Sequence, residues 1–165
     1  MKVKDLIIKI LCIVFGVMAF VSMLLPFLIL KTTTDYGVGA ITNTNTVSFS
    51  RWWEVLQGDS ERLWANKIAA VLMIFVFVLI ALIITFTIIR FFVNKKMLNK
   101  INKVVAILCI VASILFIIFF IIGCFLQFSS TKYSLYTVMP HAGPIVILVA
   151  GLVASICSLI SLKRK

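Results

Sequence analysis

Residues 68–89 read IAAVLMIFVFVLIALIITFTII, an uninterrupted run without a single charge. Twenty-two residues at 1.5 Å per residue span about 33 Å, enough to cross roughly 30 Å of hydrocarbon as one α-helix. Three more such runs occupy residues 10–30, 104–126 and 145–162, and the four together take up half of the 165 residues. Hydrophobic residues make up 63% of the chain and charged residues 13%, against about 45–50% and about 25% in a soluble domain; the mean hydropathy is +1.22. The expected fold is an all-α membrane protein, one four-helix transmembrane domain over residues 1–165. What lies outside the spans is a loop at 31–66, a loop at 127–144, a basic connector at 94–103 and two short tails. None of these has room for a soluble catalytic domain.

Charge sets the expected orientation. The formal net charge is +11, and it is lopsided. Lys2, Lys4, Lys9, Arg90, Lys95, Lys96, Lys100, Lys103, Lys163, Arg164 and Lys165 face only Asp5 on one side, a net +10. Lys31, Arg51, Arg62, Lys67 and Lys132 are nearly balanced by Asp35, Glu54, Asp59 and Glu61 on the other, a net +1. Short Lys- and Arg-rich segments stay in the cytoplasm. Both termini and the connector are therefore expected inside the cell membrane, and both loops outside. The basic face suits anionic lipid; with no aromatic residues interleaved in the tails, nucleic acid is not expected as a partner. The first run exceeds the 7–15 residues of a signal peptide core and no A-x-A-like site follows it, so it is expected to remain as an anchor.

The search for chemistry returns little. Cys12, Cys109, Cys124 and Cys157 all fall inside spans and form no C-x-x-C, whereas a disulfide exchanger needs paired, exposed thiols. They read as packing residues. No ionisable residue falls in the middle of a span; Lys9 and Arg90 lie at the inner ends, where snorkelling to the interface is expected. His141, the single histidine, sits between Pro140 and Pro144 without a neighbouring carboxylate and reads as an interfacial or capping residue rather than a metal ligand. Phosphate-loop, zincin, nucleophile-elbow and dinucleotide motifs are all missing. The chain reads as non-enzymatic, with no catalytic residue, no cofactor and no metal.

Within the bundle, Ala150, Ala154 and Ser158 recur every four residues with Gly151 and Ser155 beside them, a small-residue stripe that lets helices approach closely. Packing inside the bundle is its expected use, and a homo-oligomer seam is the other. Phe75, Phe77, Phe116, Phe119 and Phe120 read as core or lipid-facing bulk. In the first loop, residues 32–46 are rich in Thr and Asn with turn points at Gly37 and Gly39, and 47–51 (VSFSR) alternates apolar and polar residues as a strand does. Trp52, Trp53, Val55 and Leu56 follow as an apolar cluster. Asp59 or Ser60 is expected to cap a helix leading through Trp64 into the second span. Residues 133–138 (YSLYTV) are a second strand candidate, expected to pair beside the first. The Trp residues with Tyr133 and Tyr136 also suit an interfacial aromatic belt.

Leu25-Pro26-Phe27 closing the first span, Val47-Ser48-Phe49 followed by a Trp-rich turn, a basic inner connector and a shorter second loop together resemble the claudin-like tetraspan architecture and small bacterial four-helix membrane proteins. The resemblance covers most of the chain, in topology more than in motif. It implies a small extracellular β element on the bundle. The two loop cysteines of claudins have no counterpart here.

The functional expectation is a structural, assembly or accessory subunit that presents its outer loops to a protein or lipid partner. An immunity or resistance protein against a pore-forming peptide or membrane toxin is the first alternative, and an accessory subunit of a transporter the second. Arg51, Trp52 and Tyr136 are the expected partner-binding residues. Trp53, sharing a helical face with Leu56, and Trp64, beginning the lead into the second span, are expected to be structural instead.

Overall fold

The structure, a computed structural model, describes residues 3–35, 39–57, 63–93, 96–127, 129–130 and 134–163. Its elements follow in the order α1 (Val3–Val21), a 3₁₀ turn (Ser22–Leu24), β1 (Leu28–Asp35), β2 (Ala40–Val47), α2 (Phe49–Leu56), α3 (Trp64–Phe92), α4 (Lys96–Leu126), β3 (Ser129–Ser130), β4 (Ser134–Pro140) and α5 (Ala142–Lys163). Four helices are long and apolar enough to cross a membrane: Val3–Leu24, Trp64–Phe92, Lys96–Leu126 and Ala142–Leu162. The chain is an integral membrane protein of four helices with a small antiparallel sheet at one end. That end is called the sheet end below, and the other the tail end.

The first span is shorter at its far end than the apolar run. Pro26 disfavours the helical region for the residue before it, and Leu25 is extended at φ −82°, ψ 153°. Leu28, Ile29 and Leu30, expected within the span, therefore begin β1. Pro26 and Phe27 then tie three segments together. Phe27 N–H donates to Val47 O at 2.8 Å, His141 N–H donates to Phe27 O at 2.9 Å, and Gly143 N–H donates to Pro26 O at 2.9 Å.

The strand order is β2-β1-β4-β3, all antiparallel. β1 is central, with Leu28 opposite Val47 and Pro140, and Leu30 opposite Asn45 and Val138. Leu28, Val47 and Val138 are buried against the helices. Beyond them the hairpin stands clear, and Ala40 to Thr46 are all exposed.

The first loop differs from expectation. Its strand lies upstream, in the Thr- and Asn-rich stretch, and residues 49–51, expected to continue a strand from Val47, open α2 instead. The Ser48 hydroxyl accepts the Arg51 N–H at 3.5 Å, and Ser48 O accepts the Trp52 N–H at 3.0 Å, an N-cap arrangement. Phe49, Trp52 and Leu56 recur at helical spacing and turn to the core, so a period of 3.6 prevails over the local alternation. Asp59 and Ser60, expected to cap the lead into the second span, and Gly37 and Tyr133 lie outside the described residues. The second strand candidate appears as β4 and pairs with β1.

Inside the bundle the small residues of α5 serve packing between its own helices. Ala150, Ala154, Ser155 and Ser158 are buried, and the Cys12 thiol of α1 donates to Ala154 O at 3.3 Å. A Cβ at Gly151 would stand 3.0 Å from the Ser113 hydroxyl of α4 and 3.5 Å from Ile80 of α3, so α5 touches three helices along this stripe. Phe77, Phe116 and Phe120 are core and Phe75 is exposed. The four cysteines are free, three of them buried.

Lys9 and Arg90 do not snorkel. They are 3% and 4% exposed and turn into the bundle at the tail end. Lys9 pairs with Asp5 at 3.0 Å and stands 5.1 Å from the centre of the Phe91 ring. The Arg90 Nη2 donates to Ser161 O at 3.2 Å, and the Ser161 hydroxyl donates to Asp5 Oδ1 at 3.2 Å. Because α1 begins at Val3, Lys9 lies nearly two turns into the helix and meets other helices before it meets water.

Candidate functional site: the sheet end

Beneath the sheet lies an aromatic nucleus of four rings drawn from three segments. Phe27 stacks on Trp52 with centroids 5.3 Å apart, and Phe120 of α4 closes on Trp52 at 5.5 Å and on Phe27 at 6.3 Å. Phe49 completes the group at 5.1 Å from Phe27. Stacked and edge-to-face rings at these distances add to the burial of their large apolar area. This nucleus fastens β1, α2 and α4 to one another, so the sheet is seated on a rigid base.

The three expected contact residues are not brought together on one surface. Arg51 is exposed on α2. Trp52 is 1% exposed, its ring inside the nucleus, and no partner reaches it in this conformation. Tyr136 is half-buried in β4, opposite Thr32 of β1 and Ser129 of β3; burial pushes its phenol up from the usual value, which keeps it neutral. The order of the tryptophans is the reverse of the expectation. Trp53 and Trp64 are 36% and 48% exposed, while Trp52 is structural.

What does lie on the surface is an edge. β2 sits at the end of the strand order, and among the described residues no strand pairs with its outer side. Its sequence, AITNTNTV, carries no charge and no proline, the devices that usually protect a sheet edge from another strand. Across the sheet, Asn43, Thr32 and Tyr136 form one row, so β2 extends a surface that begins at β4. The hydroxyls of Thr33 and Thr42 lie 3.1 Å apart and hold β2 to β1 on the exposed half of the hairpin. Sequence reasoning read this stretch as turn-rich because Thr and Asn serve both turns and exposed strands; the period-2 succession Thr42, Thr44, Thr46 was the available signal.

His141 opens α5, its Nδ1 accepting the Ala142 N–H at 2.6 Å. Among the described residues no group of three His, Cys, Asp or Glu side chains is placed to hold a metal. An apolar groove of about 420 Å³ between α4 and β4, lined by Ile121, Cys124, Phe125, Val138 and Met139, opens on the side of the bundle. Its lining is largely apolar and suits an acyl chain. No known protein family matches the chain, and no curated protein matches it.

Proposed function

We propose that the chain is a claudin-like, non-enzymatic tetraspan protein of the cell membrane, with both termini cytoplasmic, that recruits a protein partner by adding one of the partner's strands to β2. Positive charge supports the orientation: in the sequence, the tails, the 94–103 connector, Lys9 and Arg90 carry a net +10, and the two loops with Lys67 carry +1. The observation that carries the recruiting role is the eight-residue outer edge of β2, unshielded among the described residues and seated on a rigid aromatic base. Strand addition supplies main-chain hydrogen bonds for affinity and alternate side chains for selection. The row from Tyr136 through Thr32 ends on that edge at Asn43, and Arg51 is exposed on α2, the helix that follows β2 in the chain.

A photo-crosslinking residue placed at Asn43 in the native membrane tests this. One discrete adduct is expected, and it should disappear when Thr44 and Thr46 are both changed to Lys, which charges the edge. A crosslinker at Lys103, at the tail end, should not give the same adduct. Failure to form an adduct at position 43 in a folded chain, or an adduct that survives both lysines, contradicts the recruiting role.

A further inference from the structure

The polar side chains of the tail end form two layers inside the bundle. Lys9, Thr87, Arg90, Asn102, Ser158 and Ser161 are all buried. Asn66 packs against Gly123, which sets the antiparallel register of α3 and α4 and puts Asn102 level with Thr87. Arg90 bonds Ser161, and Ile80 lies against Gly151, so Ser158 of the parallel α5 is level with Thr87 as well. Arg90 and Ser161 are one turn nearer the tail end, about 5 Å away along the axis.

This cluster is unbalanced in charge and in hydrogen bonding. Among the described residues, two cations, Lys9 and Arg90, face one carboxylate, Asp5, which is already bonded to Lys9 and Ser161. The Arg90 Nη2 reaches only a neutral carbonyl among the described residues, while Nε and Nη1 have no partner among them, leaving three N–H donors unused. Neither side-chain atom of Asn102 has a partner among the described residues, nor does the Ser158 hydroxyl. Burying a cation without compensation is costly, and ionisable groups retained inside a membrane bundle mark a site. The apolar run 68–89 ends immediately before Arg90, which puts the guanidinium close to the end of the span, on the side where lipid headgroups begin. A guanidinium fork matches the oxygens of a phosphate bidentately, and phosphate is the anion that phospholipid headgroups carry near that boundary.

We propose that Arg90, supported by Asn102 and Ser158, binds a phosphate oxyanion between the helices at the tail end. Two sources share that chemistry, the headgroup of a phospholipid and free phosphate. The site is independent of the β2 edge and stands or falls apart from it.

The test uses the purified full chain in a nonionic detergent, with arginine labelled by nitrogen-15. Dioctanoyl phosphatidic acid, dioctanoylglycerol and sodium phosphate at matched ionic strength are titrated separately. The Arg90 Nε–H signal is assigned by changing Arg51, Arg62 and Arg164 to Lys. Phosphatidic acid is expected to move that signal and to raise Tm by about 5 °C or more near saturation, whereas dioctanoylglycerol does neither. Arg90→Gln and Asn102→Leu should each weaken binding by about tenfold or more. A response to sodium phosphate at the same concentrations identifies the free anion as the source; a response to phosphatidic acid alone identifies the lipid. The proposal is overturned if neither phosphate compound moves the Arg90 signal, or if Arg90→Gln binds as tightly as the unaltered chain. Should Arg90→Gln not fold, the Arg90 signal of the unaltered chain decides.

Discussion

Trp52 stacks on Phe27 with their rings 5.3 Å apart and inclined by 29°. These residues come from the helix after the hairpin and from the segment before it, so one contact closes the first loop onto the bundle. Trp52→Ala should therefore destabilise the protein by about 3–5 kcal/mol, the usual cost of truncating a buried aromatic. Trp53→Ala and Trp64→Ala, at partly exposed positions, should cost roughly 1 kcal/mol or less. Unfolding in detergent followed by far-ultraviolet circular dichroism measures all three. Equal losses at the three positions would refute the nucleus.

Gly143 makes a second test of the same junction. A Cβ there would stand 2.7 Å from the Phe27 ring and 3.1 Å from Pro26 O, and the backbone oxygen cannot move without breaking the Gly143 N–H bond to it. Gly143→Ala is expected to cost about 1–3 kcal/mol, as overpacking does. A neutral effect on Tm would show that the junction is looser than described.

The cysteines should be inert toward redox. All four are free, and Cys12 spends its thiol on Ala154 O beside Thr87. Adding a reductant should leave Tm unchanged, and replacing the four by Ser or Ala together should preserve the fold. Loss of activity in a folded quadruple variant would revive a redox reading.

Orientation is open to direct labelling. In a cysteine-free background, Thr44→Cys should react with an impermeant maleimide in intact cells and Lys100→Cys should not. Reaction at position 100 alone would invert the topology.

The spans were legible in the sequence because a run such as 68–89 has only one stable arrangement in hydrocarbon, a helix with every backbone group bonded internally. The smaller elements were not, because two periods overlap at residues 47–56. Val47, Phe49 and Arg51 suggest alternation, while Phe49, Trp52 and Leu56 trace a helical face, and only the Ser48 cap and the neighbouring nucleus decide between them. Choosing the helical face through Trp53 and Leu56 rather than through Trp52 and Leu56 exchanged the buried and exposed tryptophans. Lys9 and Arg90 were visible as residues but not as an inward pair. α3 is apolar on every side, so its sequence does not show which face Arg90 occupies.

The central claim is that the outer edge of β2 receives another strand, and amide hydrogen exchange along residues 40–47 tests it most directly. Successive backbone N–H groups of a strand point alternately to one neighbour and the other. In the isolated protein, the amides facing β1 should be protected and those facing outward should exchange freely. In the native membrane the outward set should become protected as well, and Thr44→Lys with Thr46→Lys should restore its exchange. If the outward amides exchange equally fast in both settings while the inward ones stay protected, no strand is added at β2 and the recruiting role is wrong.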